Sequence, residues 1–213
     1  LDGVIHLHLP IDNKLHCDFY FPTPVWWNDL SKFDDSKLLE LHHWLKKDDP
    51  KGMELSNFGG WQSRAFLPED FPATEEFASI MEKLSIDCLV DYGLNPEKQV
   101  LKIGNIWFNE NKGKDVNQLH IHGGSFIAGT YYLSIPKGAG EIIFYRNYME
   151  EYALYAHSGD FDRITPINGI TARYKPRNKR VVLFPAWLQH GVLPSETDDP
   201  RISIAFNLKV RDV

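Results

Sequence analysis

From residue 99 onward the chain breaks into short apolar runs separated by turn signals. QVLKIGNIWFN (99–109), SFIAGTYYLSI (125–135), GEIIFYR (140–146), KRVVLFPAW (179–187) and RISIAFNLKV (201–210) are each rich in β-branched and aromatic residues. Runs of this length and composition are strands. Several of them at close spacing predict a two-layer all-β body, a sandwich or jelly roll. Residues 147–178 break the rhythm with scattered aromatics and charges, and read as a long excursion from that body, a candidate lid.

The first part of the chain mixes element types. FPTPVW (21–26) is a strand end interrupted by prolines. DDSKLLELHHWLKKDD (34–49) is helical, with Leu38, Leu41 and Leu45 on one stripe and lysines in the last turn. Residues 73–92 form a second helix. Thr74 caps it, Phe77, Ile80, Met81, Leu84 and Cys88 face the core, and Gly93 ends it. There is no internal repeat.

A chain of 213 residues suits one medium domain. We expect a single domain over 1–213, with mixed strand and helix to about residue 97 and β structure beyond it. Net charge is −6, without a long basic run, which argues against nucleic acid as the partner. No apolar run reaches the roughly 20 residues that span a bilayer. Residues 1–10 lack the basic and apolar regions of a signal peptide. The two cysteines, Cys17 and Cys88, stand far apart in no paired motif, so a reducing, cytoplasmic setting is the expectation.

Within NQLHIHGGSFIAGTYYL (117–133), His120 and His122 alternate with apolar residues. A strand places i and i+2 on one face, so the two imidazoles can share an ion. Alone this is weak, since His6 and His8 repeat the spacing with no chemistry around them. FPAWLQH (184–190) then brings a third histidine, His190, to the end of an apolar strand. Arg201 and Ser203 follow on one face of the last strand. An inward Arg on such a strand needs an anionic partner. The plainer reading pairs it at the surface with Asp198 or Asp199. Asn105, Trp107 and Asn109 share a strand face that is polar for a core and suits a cavity wall.

The order HxH, distal His, RxS resembles the Fe(II)- and 2-oxoglutarate-dependent oxygenases. More narrowly, the sequence is similar to a bacterial and phage family of such oxygenases. The shared stretches are FPTPVW (21–26), GWQS (60–63), Trp107-Phe108-Asn109, Asn117-Gln-Leu-His120-Ile-His122, Tyr131-Tyr132-Leu133, LFPAWLQHGV (183–192) and RISIAFN (201–207). The match runs from about residue 20 to 210.

The resemblance implies a double-stranded β-helix, an α+β and mainly β fold with the N-terminal helices packed on its outer sheet. It makes His120, His122 and His190 ligands of Fe(II). Arg201 and Ser203, with Tyr131, become the anchor of the 2-oxoglutarate carboxylate. Asn109, Asn117, Arg146 and Trp107 become pocket residues. The implied activity is oxidation by O2, usually hydroxylation, coupled to decarboxylation of 2-oxoglutarate to succinate. The substrate, small or peptidyl, and the oligomeric state are not read from the sequence. The implied setting is a bacterial or phage-infected cell. The usual second ligand of the superfamily is a carboxylate, and here it is His122. Three histidines also suit a cupin-like metalloenzyme that uses no 2-oxoglutarate, or a barrel that binds metal without turnover. His42 and His43 read as surface or half-buried, His16 as too isolated for a metal site, and His157 as a residue of the excursion.

Overall fold

The longest strand pairing sets the frame. β4 (Gln99–Asn111) and β11 (Arg201–Asp212) run antiparallel, with Arg201 opposite Asn111 and Asp212 opposite Gln99. β6 (Ile127–Ser134) pairs with the other edge of β11, and β9 (Arg180–Pro185) with β6. β1 (Trp26–Asp29) and β3 (Trp61–Gln62) close a six-stranded sheet in the order β1-β9-β6-β11-β4-β3. A second sheet contains β2 (Asn57–Phe58), β5 (Val116–His120), β7 (Ile142–Tyr145), β8 (Thr171–Tyr174) and β10 (His190–Val192). Its order is β2-β5-β10-β7-β8. The structure is a computed structural model that describes residues 22–155, 159 and 161–213. His6, His8, His16, Cys17, Phe21 and His157 lie outside the described residues.

Each face of the large sheet is buried, for different reasons. On β6, Ala128 and Tyr132 point inward and pack with Ile142, Phe144, Val182 and Phe184 between the sheets. Ile127, Tyr131 and Leu133 point the other way, into the layer formed by the helices. α1 (Ser36–Asp48) buries Leu38, Leu41 and Leu45 there, as its periodicity predicts. α2 (Pro72–Leu84) adds Phe77 and Met81, and α3 (Ile86–Asp91) adds Cys88 and Leu89. The helices therefore pack on the outer face of the six-stranded sheet.

Some local expectations give way. The helix expected over 73–92 breaks at Ser85, whose hydroxyl donates to Glu82 O at 2.7 Å. Such back-bonding competes with the helical ladder. Thr74 is inside α2 rather than at its cap. Pro72 opens the helix, and the Thr74 hydroxyl lies 2.7 Å from Phe71 O. Gly93 does terminate α3. At φ 74 it lets its own N–H reach Val90 O and that of Leu94 reach Leu89 O.

His42, expected at or near the surface, is fully buried on the Leu38–Leu41–Leu45 side of α1. Its Nε2 lies 3.3 Å from Glu110 Oε2, and Lys46 Nζ lies 2.6 Å from Glu110 Oε1. The two partners hold the Glu110 carboxyl down to about 2, against burial. The excursion 147–178 is also less irregular than expected. It contains α4 (Tyr148–Tyr155) and ends in β8, which pairs with β7. Among the described residues, no helix is long and apolar enough to cross a membrane.

Candidate metal centre

β5 and β10 are neighbours, and their register sets His120 directly opposite His190. His122 lies two residues past the end of β5. Its backbone N–H donates to Ala186 O at 2.8 Å, in the turn that joins β9 to β10. The chain is thus held so that three imidazoles meet. Their ring centroids are 4.4 Å (His120–His190), 5.0 Å (His122–His190) and 5.1 Å (His120–His122) apart. One ring nitrogen from each lies within 4.8 Å of the others. His122 Nε2 is 3.1 Å from His190 Nε2. Two imidazole nitrogens bound to one ion at about 2.0–2.1 Å, near a right angle, are separated by about 3 Å.

Second contacts fix the tautomers. His120 Nδ1 lies 2.7 Å from Gln118 O, and His190 Nδ1 lies 2.8 Å from Leu188 O. A carbonyl only accepts, so each Nδ1 carries the hydrogen and each Nε2 keeps a lone pair for an ion. Burial pushes all three pKa values down. His122 falls to about 4 and His190 to about 3, with the neighbouring His120 adding to the effect. All three are neutral at pH 7, the form that ligates. Trp107 packs against the His122 ring at 5.6 Å and Phe184 against His190 at 4.5 Å, which restricts ring rotation.

The same cavity contains Arg201 and Ser203. Arg201 is 2 % exposed, yet among the described residues no carboxylate pairs with it. The surface pairing with Asp198 or Asp199 is not formed. One guanidinium nitrogen donates to Ser203 Oγ at 3.0 Å, and Nε has no partner. The group lies over the Tyr132 ring at 5.1 Å, and the buried Tyr132 hydroxyl is also unpartnered. A buried guanidinium with open donors, beside an open hydroxyl, has the chemistry to receive a carboxylate.

Of the residues singled out in the sequence, the three histidines, Arg201, Ser203, Trp107, Asn109 and Asn117 line this one cavity, with Asn105. Tyr131 and Arg146 do not. Tyr131 faces the helices, where its hydroxyl donates to Asp35 Oδ2 at 2.8 Å. Tyr131 is therefore a core tyrosine with a satisfied hydroxyl and does not reach the carboxylate anchor; its strand neighbour faces the other way. Tyr132 stands opposite Ser203 in the β6–β11 ladder and shares its side. Arg146 is occupied elsewhere, donating to Gly169 O, Pro166 O and Glu150. It ties down the excursion. Sequence reading also passed over Gln62, which lines the cavity from β3 with an unpartnered Oε1. Its signal is the GWQS stretch (60–63), among those shared with the resembling family.

Residues 105–207 match the family described as "Putative 2OG-Fe(II) oxygenase". That span contains all three histidines, Arg201 and Ser203. No curated protein matches the chain. Among solved structures it is similar to a prolyl-4-hydroxylase from Pseudomonas putida, with 13% identity, a TM-score of 0.59, and coverage of 88% of this chain and 92% of that one. It is similar to the collagen prolyl hydroxylase of Paramecium bursaria Chlorella virus-1, solved with 2-oxoglutarate, with 12% identity, a TM-score of 0.56, and coverage of 86% and 94%. HygX from Streptomyces hygroscopicus, solved with nickel and 2-oxoglutarate, gives 12% identity, a TM-score of 0.56, and coverage of 88% and 83%. At these identities the likeness establishes the fold, a double-stranded β-helix. The family match carries the histidines and the arginine in one span, so residues 105–207 have the pattern of the 2OG-Fe(II) oxygenases, enzymes that work with Fe(II), 2-oxoglutarate and O2.

Proposed function

We propose that His120, His122 and His190 hold the Fe(II), and that Arg201, Ser203 and Tyr132 hold the far carboxylate of 2-oxoglutarate. One observation carries this reading. A buried guanidinium without a carboxylate partner opens into the cavity where three neutral imidazoles converge. The donor set fits both groups: Nε2 lone pairs for a cation, and N–H and O–H donors for an anion. When bound, the iron supplies the redox chemistry by which O2 and 2-oxoglutarate give CO2 and succinate, one oxygen atom going to succinate and the other to the substrate.

The protein's own part is placement and exclusion. The Gln118 and Leu188 carbonyls hold two of the imidazoles in the ligating tautomer. Arg201 orients the dianion from the end of β11. Trp107, Phe184 and Ile142 keep water from the reacting centre. We read the activity as hydroxylation of a small molecule or of a peptide, in keeping with the prolyl hydroxylases among the similar structures. The reducing cytoplasm is our proposal for its setting and rests on cysteine usage alone. The test is succinate formation from 2-oxoglutarate with Fe(II), ascorbate and O2, first alone and then with prolyl peptides and free amino acids. Succinate that rises with one substrate class identifies it. No succinate under any condition, from protein shown to bind Fe(II), would refute an oxygenase of this kind. It would favour a barrel that binds metal without turnover.

A further inference from the structure

Four carboxamides line the cavity, those of Gln62, Asn105, Asn109 and Asn117, and beside the neutral imidazoles Arg201 is the one charged side chain among the described residues of the lining. Asn117 is spent within the protein. Its Oδ1 accepts from Asn111 Nδ2 at 3.3 Å, and its Nδ2 donates to Ser56 Oγ at 3.5 Å. Gln62 and Asn109 are not spent. Gln62 is 4 % exposed and Asn109 8 %, and neither Gln62 Oε1 nor Asn109 Oδ1 has a hydrogen-bond partner in the protein. A buried acceptor left unpaired is costly, and folded proteins retain few of them.

The strand register places the two. Gln62 lies opposite Asn109 in the β3–β4 pairing, Asn109 opposite Ser203 in β4–β11, and Ser203 opposite Tyr132 in β6–β11. Residues directly opposite share a face of the sheet, so the four make one row across its inner side. Neighbouring strands are about 4.8 Å apart, which sets the Gln62 backbone roughly 10 Å from that of Ser203. Gln62 and Asn109 thus flank the carboxylate anchor on the side away from Tyr132. 2-Oxoglutarate, which this inference takes to fill that anchor as read above, cannot pair them. Its carboxylates and oxo group only accept, and so do the two open oxygens. They require N–H or O–H donors from a second molecule. Each carboxamide also carries an NH2 beside its oxygen, and its terminal torsion is soft enough to turn either atom to a ligand. The partner that engages both atoms is another amide.

We propose that Gln62 and Asn109 recognise an uncharged amide group of the substrate, its N–H donating to the carboxamide oxygens and its C=O accepting from their NH2 groups. The amide can be an open carboxamide or the N–H edge of a cyclic one, and the probes below separate the two sources. A site built to pair an N–H rejects an isostere without it, because the site's own polar atoms are then left unpaired.

The test uses the full chain loaded with Co(II) and saturated with 2-oxoglutarate, whose binding is first measured by calorimetry. The paramagnetic ion broadens the proton resonances of a molecule held in the cavity, so titrations read affinity at this site. Propanamide is compared with butanone, in which CH3 replaces NH2, and 2-pyrrolidinone with cyclopentanone, in which CH2 replaces N–H. At least one amide should bind about tenfold or more tighter than its ketone. The tighter of the two amides assigns the open or the cyclic source. Gln62→Met keeps the length of the side chain and removes both polar atoms. It should cut the preference to less than about threefold and leave the melting temperature unchanged or higher, since the Gln62 oxygen has no protein partner to lose. Should that variant fail to fold, Asn109→Leu takes its place with the same expectations. Equal affinity for amide and ketone, or no broadening of either amide, in protein that binds 2-oxoglutarate, overturns this proposal alone. So does a Gln62→Met protein that binds 2-oxoglutarate more weakly and keeps the amide preference, which would assign Gln62 to the anchor. Co(II)-loaded protein that does not bind 2-oxoglutarate refutes the parent reading, and this proposal falls with it.

Discussion

Arg201 shows how one side chain can be both an expense to the fold and the reason for the pocket. Its burial without a counter-charge is tolerable only if an anion joins it. Removing one partner of such a desolvated pair costs roughly 2–5 kcal/mol. Arg201→Ala should therefore weaken 2-oxoglutarate binding about thirtyfold or more, with metal affinity nearly unchanged, as read by calorimetric titration. The adjacent tyrosines make a paired test. Tyr132→Phe should weaken 2-oxoglutarate binding and leave stability nearly intact, because its hydroxyl has no protein partner. Tyr131→Phe should do the opposite. It removes a bond to the Asp35 carboxylate, a loss of about 1.5–3 kcal/mol in denaturant unfolding, with no change in cosubstrate affinity. At the second ligand, His122→Ala should abolish most Fe(II) binding and succinate formation. His122→Asp should recover part of both, since the shorter side chain reaches less far from the same backbone. Wild-type metal content in His122→Ala would remove His122 from the ligand set.

At the scale of elements, α1 is fastened to β4 by His42 and Lys46 closing on Glu110. The sign of its pH dependence follows from the depressed carboxyl. The folded value of about 2 lies below the ordinary 4.5, so the unfolded chain takes up the proton first on acidification. The contribution is complete above about pH 4.5 and is lost as the pH falls toward 2. Glu110→Gln should lower stability at pH 7 and flatten the acid limb between those limits, measured as urea midpoints across the range. What the sequence disclosed at this scale follows strand length. The five long runs of the β half show their period, and all became strands. β1, β2, β3 and β8 are two to four residues each, too short for a period, and exist because a neighbouring strand offers an open edge. The burial of His42 was hidden for a related reason. Helical periodicity indicates which residues share a side, but Glu110, which makes a buried imidazole tolerable, is 68 positions away in sequence. The HxH and RxS spacings were legible because two-residue steps along a strand survive any packing. The face that Tyr131 takes was not, because it depends on the register of β6 against β11.

For the whole molecule, the centre joins segments far apart along the chain. His120 and His190 come from adjacent strands of the small sheet, and His122 is held by the turn that leaves the large one. A ligand bound only by the folded state stabilises it by RT ln(1 + [L]/Kd), about 2.7 kcal/mol at a hundredfold excess over Kd. Chelation with EDTA should therefore lower the melting temperature by several degrees, and 2-oxoglutarate added to the metal-loaded protein should raise it further. In Arg201→Ala the metal should still stabilise and the 2-oxoglutarate increment should shrink toward zero, by scanning calorimetry.

The solitary buried guanidinium has a consequence outside the test tube. If 2-oxoglutarate is the carboxylate that Arg201 receives, as proposed above, a central metabolite completes the protein's interior. Inside a cell, molecules that are unfolded more of the time are degraded sooner. Starvation that drains 2-oxoglutarate would then shorten the lifetime of this protein as well as slow its turnover, and its abundance would follow the carbon supply with no change in its synthesis.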